Sequence, residues 1–163
     1  MDTQGRNDWL SLDDEALAKQ CQVVTCRGTG PGGQKRNKTS SMVRLLHLPS
    51  GIASENDETR SQHLNRIYAI RNLRLKIALG VRLPAETASI GEPPGVNANS
   101  YALWLARILD VLEAVGYRLS DAAPITGIST GKLVKELAKT PAVWQFVNSR
   151  RVSLELPPLK MSR

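Results

Sequence analysis

The sequence predicts an α+β fold: a small, mostly antiparallel sheet carrying a glycine-rich loop and a packed helix, followed by a small all-α helical bundle. Three observations predict it. Strand-like runs at 22–27, 41–48 and 51–55 are short and close together. One long run at 59–80 repeats apolar residues at helical spacing. Beyond a Pro- and Gly-rich stretch at 83–100, apolar residues return only at helical spacings.

Ser11-Leu12-Asp13-Asp14 reads as a helix cap, and Leu12, Ala16 and Leu17 can pack one short helix over 12–20. The run 22–27 has β-branched residues at 23–25 and enters the loop as a strand. Pro49-Ser50-Gly51 then turns 41–48 back onto 51–55 as a hairpin. Thr59-Arg60-Ser61-Gln62 has the form of a capping box, so a helix is expected to start there. Its core stripe is read as Leu64, Ile67, Tyr68, Leu75, Ala78 and Leu79, with Gly80 as a left-handed stop. Arg66, Arg71, Arg74 and Lys76 are placed on the remaining surface.

The stretch 83–100 reads as a linker and divides the chain into a domain at 1–82, a helical module at 101–150 and a tail at 151–163. Leu105, Ile108, Leu109, Leu112 and Val115 give the module an amphipathic helix ending near Gly116, and Ser120 caps a short one reaching about Thr126. Leu133, Val134, Leu137 and Ala138 mark a third helix, and Thr140-Pro141 opens a fourth with Val143, Trp144 and Val147. Asp121-Ala122-Ala123, Gly127-Ile128-Ser129 and the helix with Lys132 and Lys135 also have the outline of a helix-turn-helix. That spacing is loose and leaves a plain bundle and a nucleic-acid contact both open. Trp104, Trp144 and Phe146 read as core.

Charge is unevenly placed. The chain carries a net +7, and residues 21–82 hold 11 of its 22 Lys and Arg against 3 of its 15 Asp and Glu. A polyanionic partner is expected on that segment, because phosphate contacts supply most non-specific nucleic-acid affinity. No apolar run is long enough to span a bilayer, and Met1 to Gln20 has neither signal nor presequence character, so no membrane partner and a cytoplasmic location are expected. Cys21 and Cys26, five apart on a strand, point to opposite faces and are read as reduced thiols. No CxxC or His cluster has metal-ligand spacing, so no metal and no cofactor is expected.

Arg27-Gly28-Thr29-Gly30-Pro31-Gly32-Gly33-Gln34-Lys35-Arg36-Asn37-Lys38-Thr39 is the most informative stretch. Five glycines and prolines ahead of one glutamine predict a loop that presents Gln34, and the cations that follow fit an anionic surface. The same order continues with Val43-Arg44, His47-Leu48-Pro49-Ser50-Gly51-Ile52 and Arg60-Ser61-Gln62-His63-Leu64-Asn65. Over residues 21–80 the chain therefore resembles the GGQ domain of class I peptide-chain release factors and their ribosome-rescue relatives.

That resemblance implies that Gly32, Gly33 and Gln34 enter the peptidyl-transferase centre of the large ribosomal subunit. There the Gln34 backbone amide would stabilise the reacting oxygen and its side chain would shape the water site. It implies RNA contact or loop support for Arg27, Lys35, Arg36, Asn37, Lys38, Arg44, Arg60, Gln62 and Asn65. Lys35 and Arg36 depart from the family pattern by adding charge, whereas Asn37 and Lys38 keep it. The implied partners are rRNA and peptidyl-tRNA, with the helical module as a contact for a ribosomal or accessory protein. No Ser/His/Asp or Cys/His constellation is legible, and His47 and His63 read as structural or RNA-facing.

Stop-codon readers in the family carry large decoding domains, and about twenty residues precede the first strand here. Short rescue hydrolases carry a long basic tail, whereas Arg150, Arg151, Lys160 and Arg163 are spaced by Glu155 and Pro157-Pro158. The expectation is a codon-independent, ribosome-dependent peptidyl-tRNA hydrolase anchored by its helical module. The alternative is a non-catalytic protein that binds rRNA, tRNA or DNA through the basic domain and the helix-turn-helix outline.

Overall fold

A computed structural model of the chain describes residues 5–27 and 41–161 and divides into two compact units, Met1–Gly80 and Val81–Arg163. In the first, β1 (Cys21–Cys26), β2 (Met42–His47) and β3 (Ile52–Asn56) form an antiparallel sheet in the order β1-β2-β3. The alternation in β2 explains its setting: Val43, Leu45 and His47 are buried while Arg44 between them is exposed. The buried face lies under α3 (Gln62–Gly80), which packs chiefly on β2 and β3. β1 forms an edge outside that cover, and Val23 and Val24 stay 38% and 45% exposed. Gly51, at φ 68°, closes the β2–β3 turn with an N–H donated to His47 O at 2.8 Å.

The short helix expected over 12–20 is α2 (Asp14–Lys19), and a further helix, α1 (Gly5–Ser11), precedes it. Asp13 caps α2 by accepting from the Ala16 N–H at 2.7 Å, while the Ser11 hydroxyl donates back to Asn7 O in α1. In α3 the cap is likewise shifted. Ser61 Oγ accepts from Leu64 N–H at 3.3 Å, because Thr59 is bonded to Asn65 instead.

The core stripe of α3 has a different phase from the one expected. Ala69, Ile70, Leu73, Ile77 and Ala78 are buried, with Asn65 and Arg74 on the same side, while Leu64 is exposed. Arg74, expected on the surface, is 3% exposed and donates to Leu10 O, Leu12 O and Asp14 Oδ1, which ties α1 and α2 onto α3. Gly80 is the last residue of α3 and is not among the left-handed glycines. A Cβ there would lie 3.2 Å from Ile52 Cδ1, so the packing uses its small size.

His47 joins three pieces of this unit. Its Nδ1 lies 2.7 Å from Ser50 Oγ and its Nε2 3.0 Å from Gln20 Oε1, and its ring meets Trp9 edge-on at 5.0 Å. Burial pushes its pKa down. The folded value thus lies below that of the unfolded chain, near 6.5, so the unfolded state takes up protons first as pH falls. Stability is therefore full above about 6.5 and is lost as pH drops through that value and below it. Urea midpoints measured between pH 7.5 and 5.5 should fall, and His47→Gln should flatten the fall. The same slope in the variant would assign the effect to other groups.

The second unit is helical: α4 (Tyr101–Ala114), α5 (Leu119–Thr126), α6 (Thr130–Ala138) and α7 (Pro141–Ser153). Expected as amphipathic, α4 is instead buried on nearly all sides, from Tyr101, Ala102 and Trp104 through Asp110 to Leu112. Residues 83–100, read as a linker, supply part of that cover. Leu83 N–H donates to Asp110 Oδ1 at 2.9 Å, Trp104 Nε1 donates to Gly91 O at 3.1 Å, and Arg107 pairs with Glu86 at 2.7 Å. Gly116, at φ 62°, ends α4 in a Schellman motif: its N–H reaches Glu113 O and that of Tyr117 reaches Leu112 O. Arg118 stands at the start of α5 in place of the expected Ser120, and Ser129 caps α6 through Lys132 N–H. Among the described residues no helix is long and apolar enough to cross a membrane.

Candidate functional site

Antiparallel pairing sets Cys26 opposite Met42, so the chain leaves the sheet at Arg27 and returns at Ser41 at one end of the β1–β2 pair. Gly32, Gly33, Gln34, Lys35, Arg36, Asn37 and Lys38 fall between these points and lie outside the described residues. What the structure describes is the frame that carries them.

The frame centres on Asn65, in the first turn of α3 and fully buried. Its Nδ2 donates to Ser41 O at 2.7 Å and to Thr59 O at 2.8 Å. Its Oδ1 accepts from the Thr59 N–H and the Thr59 hydroxyl, both at 2.9 Å. Asn65 therefore faces the protein, whereas Arg60 and Gln62 are exposed just ahead of it and Arg27 is exposed on the departing limb. Arg44 is not brought to this cluster. It alternates with the buried Val43 and Leu45, so it lies on the other face of the sheet, 3.5 Å from Glu55. Both members of that pair are more than half exposed, which makes it worth little. Ser41 carries no sequence signal of its own, and Thr59 carries only that of a helix cap, because three of the four bonds to Asn65 involve backbone groups.

Charge is sorted around this end. The acidic residues between 21 and 82 are Glu55, Asp57 and Glu58, and all three line one shallow hollow of about 350 Å³ with Met42, Asn56 and Asn72. Helix α3 contains no acidic residue, and its Arg66, Arg71 and Lys76 are exposed. In the second unit five cations have local acidic partners, Arg82 with Asp110, Arg107 with Glu86, Lys132 with Glu92, Lys139 with Glu136 and Arg150 with Glu113, while Lys135 on α6 is exposed. Two of these pairs involve Lys132 and Lys139, at α6 and its C-terminal cap, the helix that would face nucleic acid in a helix-turn-helix.

The described side chains offer no nucleophile paired with a base. His47 is enclosed between Ser50 and Gln20. The Cys21 thiol donates to Leu17 O at 3.3 Å, and burial pushes its pKa up, with Arg66 partly offsetting this, so the thiol form is favoured.

Comparison with known proteins decides what kind of frame this is. The RF-1 domain family model matches residues 13–90. Residues 13–90 thus carry the RF-1 domain that this segment shares with peptide-chain release factors. It is 40% identical over 77 residues to peptide chain release factor 1 of Rhodospirillum rubrum, covering 47% of this chain and 22% of the relative. It is 46% identical over 70 residues to the mitochondrial peptide chain release factor 1-like protein of Rattus norvegicus, covering 43% and 18%. Peptide chain release factor 2 of Paramagnetospirillum magneticum is 42% identical over 67 residues, covering 41% and 18%. The chain spans about a fifth of the length of these relatives. The release-factor match runs from the cap of α2 through the sheet and α3, and so contains Gly32-Gly33-Gln34 together with the Asn65 frame.

Proposed function

We propose that this protein hydrolyses the ester of peptidyl-tRNA in the large ribosomal subunit without reading a codon, freeing nascent chains in the cytoplasm. The observation that carries the reading is the RF-1 match over residues 13–90, which encloses Gly32-Gly33-Gln34 and the residues that frame it. Water adds to the ester carbonyl, the tRNA 3′ oxygen leaves with a proton, and the peptide departs as an acid. A backbone N–H at Gln34 is suited to the developing oxyanion, and one such preorganised donor is worth roughly 3 to 4 kcal/mol in comparable sites. Ribosome and tRNA supply the remaining groups.

The cations 35, 36 and 38, with Arg27 and Arg60 beside the loop ends, are suited to rRNA phosphates. Replacing Lys35, Arg36 and Lys38 by Gln should weaken ribosome binding and lower the slope of log affinity against log salt. Each lost phosphate contact removes a term of about 0.7 to 0.9. An unchanged slope would leave these side chains solvated in the complex. The helical unit serves as an anchor for a ribosomal or accessory protein.

Purified ribosomes bearing labelled peptidyl-tRNA test the reading. With them the protein should release peptide, and with free peptidyl-tRNA it should not. Release in both settings would remove the ribosome from the mechanism, and release in neither would remove the hydrolase.

A further inference from the structure

We propose that Asn65, seated by Thr59, is a positioning residue that fixes where the Gly32-Gly33-Gln34 loop re-enters the sheet, and so sets the rate of the reaction assigned to that loop. The inference rests on the proposed hydrolase for its effect on rate, but not for its effect on the loop. An asparagine amide has two N–H donors and two acceptor lone pairs: here two carbonyls accept from Nδ2, the Thr59 N–H donates to Oδ1, and the Thr59 hydroxyl, with one proton to give, lies 2.9 Å from Oδ1 and 3.0 Å from Ser61 O. The orientation is thereby fixed, since a flipped amide would set its oxygen against the carbonyls of Ser41 and Thr59. Aspartate cannot supply the two donors, and glutamine is one carbon too long.

The two limbs of the loop are held differently. The departing limb is held by the β1–β2 ladder, whose last pair is Cys26 with Met42. The returning limb is held one residue beyond that pair, where Ser41, itself buried, accepts from Asn65. Because α3 packs on β2 and β3, the bond ties that limb to the helix that covers the sheet. Thr59 completes the node: its hydroxyl contacts Asn65 Oδ1 and accepts from Ser61 N–H at 3.1 Å, which locks the turn into α3. A misplacement of about 1 Å in a reacting group can cost on the order of a hundredfold in rate, so a node at the loop root suffices to control the chemistry.

The test compares the full-length parent with Asn65→Asp, Thr59→Val and Thr59→Ser by two measurements. The first is tryptic cleavage under native conditions, with cuts after Lys35, Arg36 and Lys38 reporting the loop and cuts after Arg71 in α3 reporting unfolding. Asn65→Asp should raise the ratio of loop to helix cleavage about tenfold and Thr59→Val by less, while Thr59→Ser restores the parent ratio. The second is single-turnover release, where the rate at saturation should fall about tenfold or more in Asn65→Asp and the half-saturating concentration should stay within about threefold. An unchanged cleavage ratio in both Asn65→Asp and Thr59→Val overturns the proposal. So does a release defect confined to half-saturation. If Asn65→Asp fails to fold, Thr59→Val and its serine rescue decide. A parent that releases no peptide overturns the hydrolase instead, and the cleavage ratio still judges Asn65.

Discussion

Gly33→Ala should lower the rate of peptide release at saturating protein by on the order of a hundred- to a thousandfold, the range seen when one preorganised oxyanion donor is removed. A methyl group at this position closes backbone angles that glycine alone reaches freely, and it adds bulk next to Gln34, where the proposed mechanism brings the chain against RNA. Ribosome affinity should stay within about threefold, because no phosphate contact is lost. Single-turnover release with labelled peptidyl-tRNA separates the two quantities. A variant as fast as the parent would remove the loop from the chemistry. A variant that reached the parent rate only at higher concentration would give the loop a role in binding.

Arg74→Ala should be the most damaging single change to the fold of the first unit, at roughly 3 kcal/mol or more. Arg74 is almost fully buried and donates to Leu10 O at 3.2 Å, Leu12 O at 2.6 Å and Asp14 Oδ1 at 2.9 Å. Its removal leaves two carbonyls without that donor, each at about 1 to 3 kcal/mol where water cannot replace it, and leaves a gap where the buried side chain was. The ion pair itself contributes less, since Asp14 is 45% exposed. Lysine at this position should recover little, because an ammonium cannot span the fork. Urea unfolding measures the loss, and hydrogen exchange should show α1 and α2 opening first. A loss below about 1 kcal/mol would mean that α1 and α2 dock without Arg74.

These two residues mark what the sequence reveals and what it hides. Gly33 can be singled out by residue type alone, as adjacent glycines ahead of a glutamine with the motifs at 43–52 and 60–65 following in order, but it lies outside the described residues. Arg74 is hidden because its burial depends on carbonyls more than sixty residues earlier in the chain. The same holds for Asn65, whose two acceptors are main-chain carbonyls. With those two polar residues on the buried face, the periodicity of α3 points to Leu64, Ile67 and Tyr68, and the true stripe of Ile70, Leu73 and Ile77 is out of phase with it. Helix α1 has Trp9 and Leu10 as its buried apolar residues, too few to show a period, and its place depends on packing such as Trp9 against His47. The β2–β3 hairpin is readable because Pro49-Ser50-Gly51 carries its own turn chemistry and Gly51 takes the left-handed angle. In the second unit the helices are readable, but the enclosure of α4 is not. Asp110 looks like a solvent-facing position until Leu83 N–H and Arg82 are seen to meet it.

The central claim is release without codon reading, and the most direct measurement is the single-turnover rate on ribosomes that hold the same labelled peptidyl-tRNA and differ only in the A site. Three particles suffice: one with a stop codon, one with a sense codon, and one whose message ends at the P site. The account predicts release from the particle without an A-site codon at a rate no lower than from the stop-codon particle, and loss of that activity in Gly33→Ala. Release confined to the stop-codon particle would contradict it.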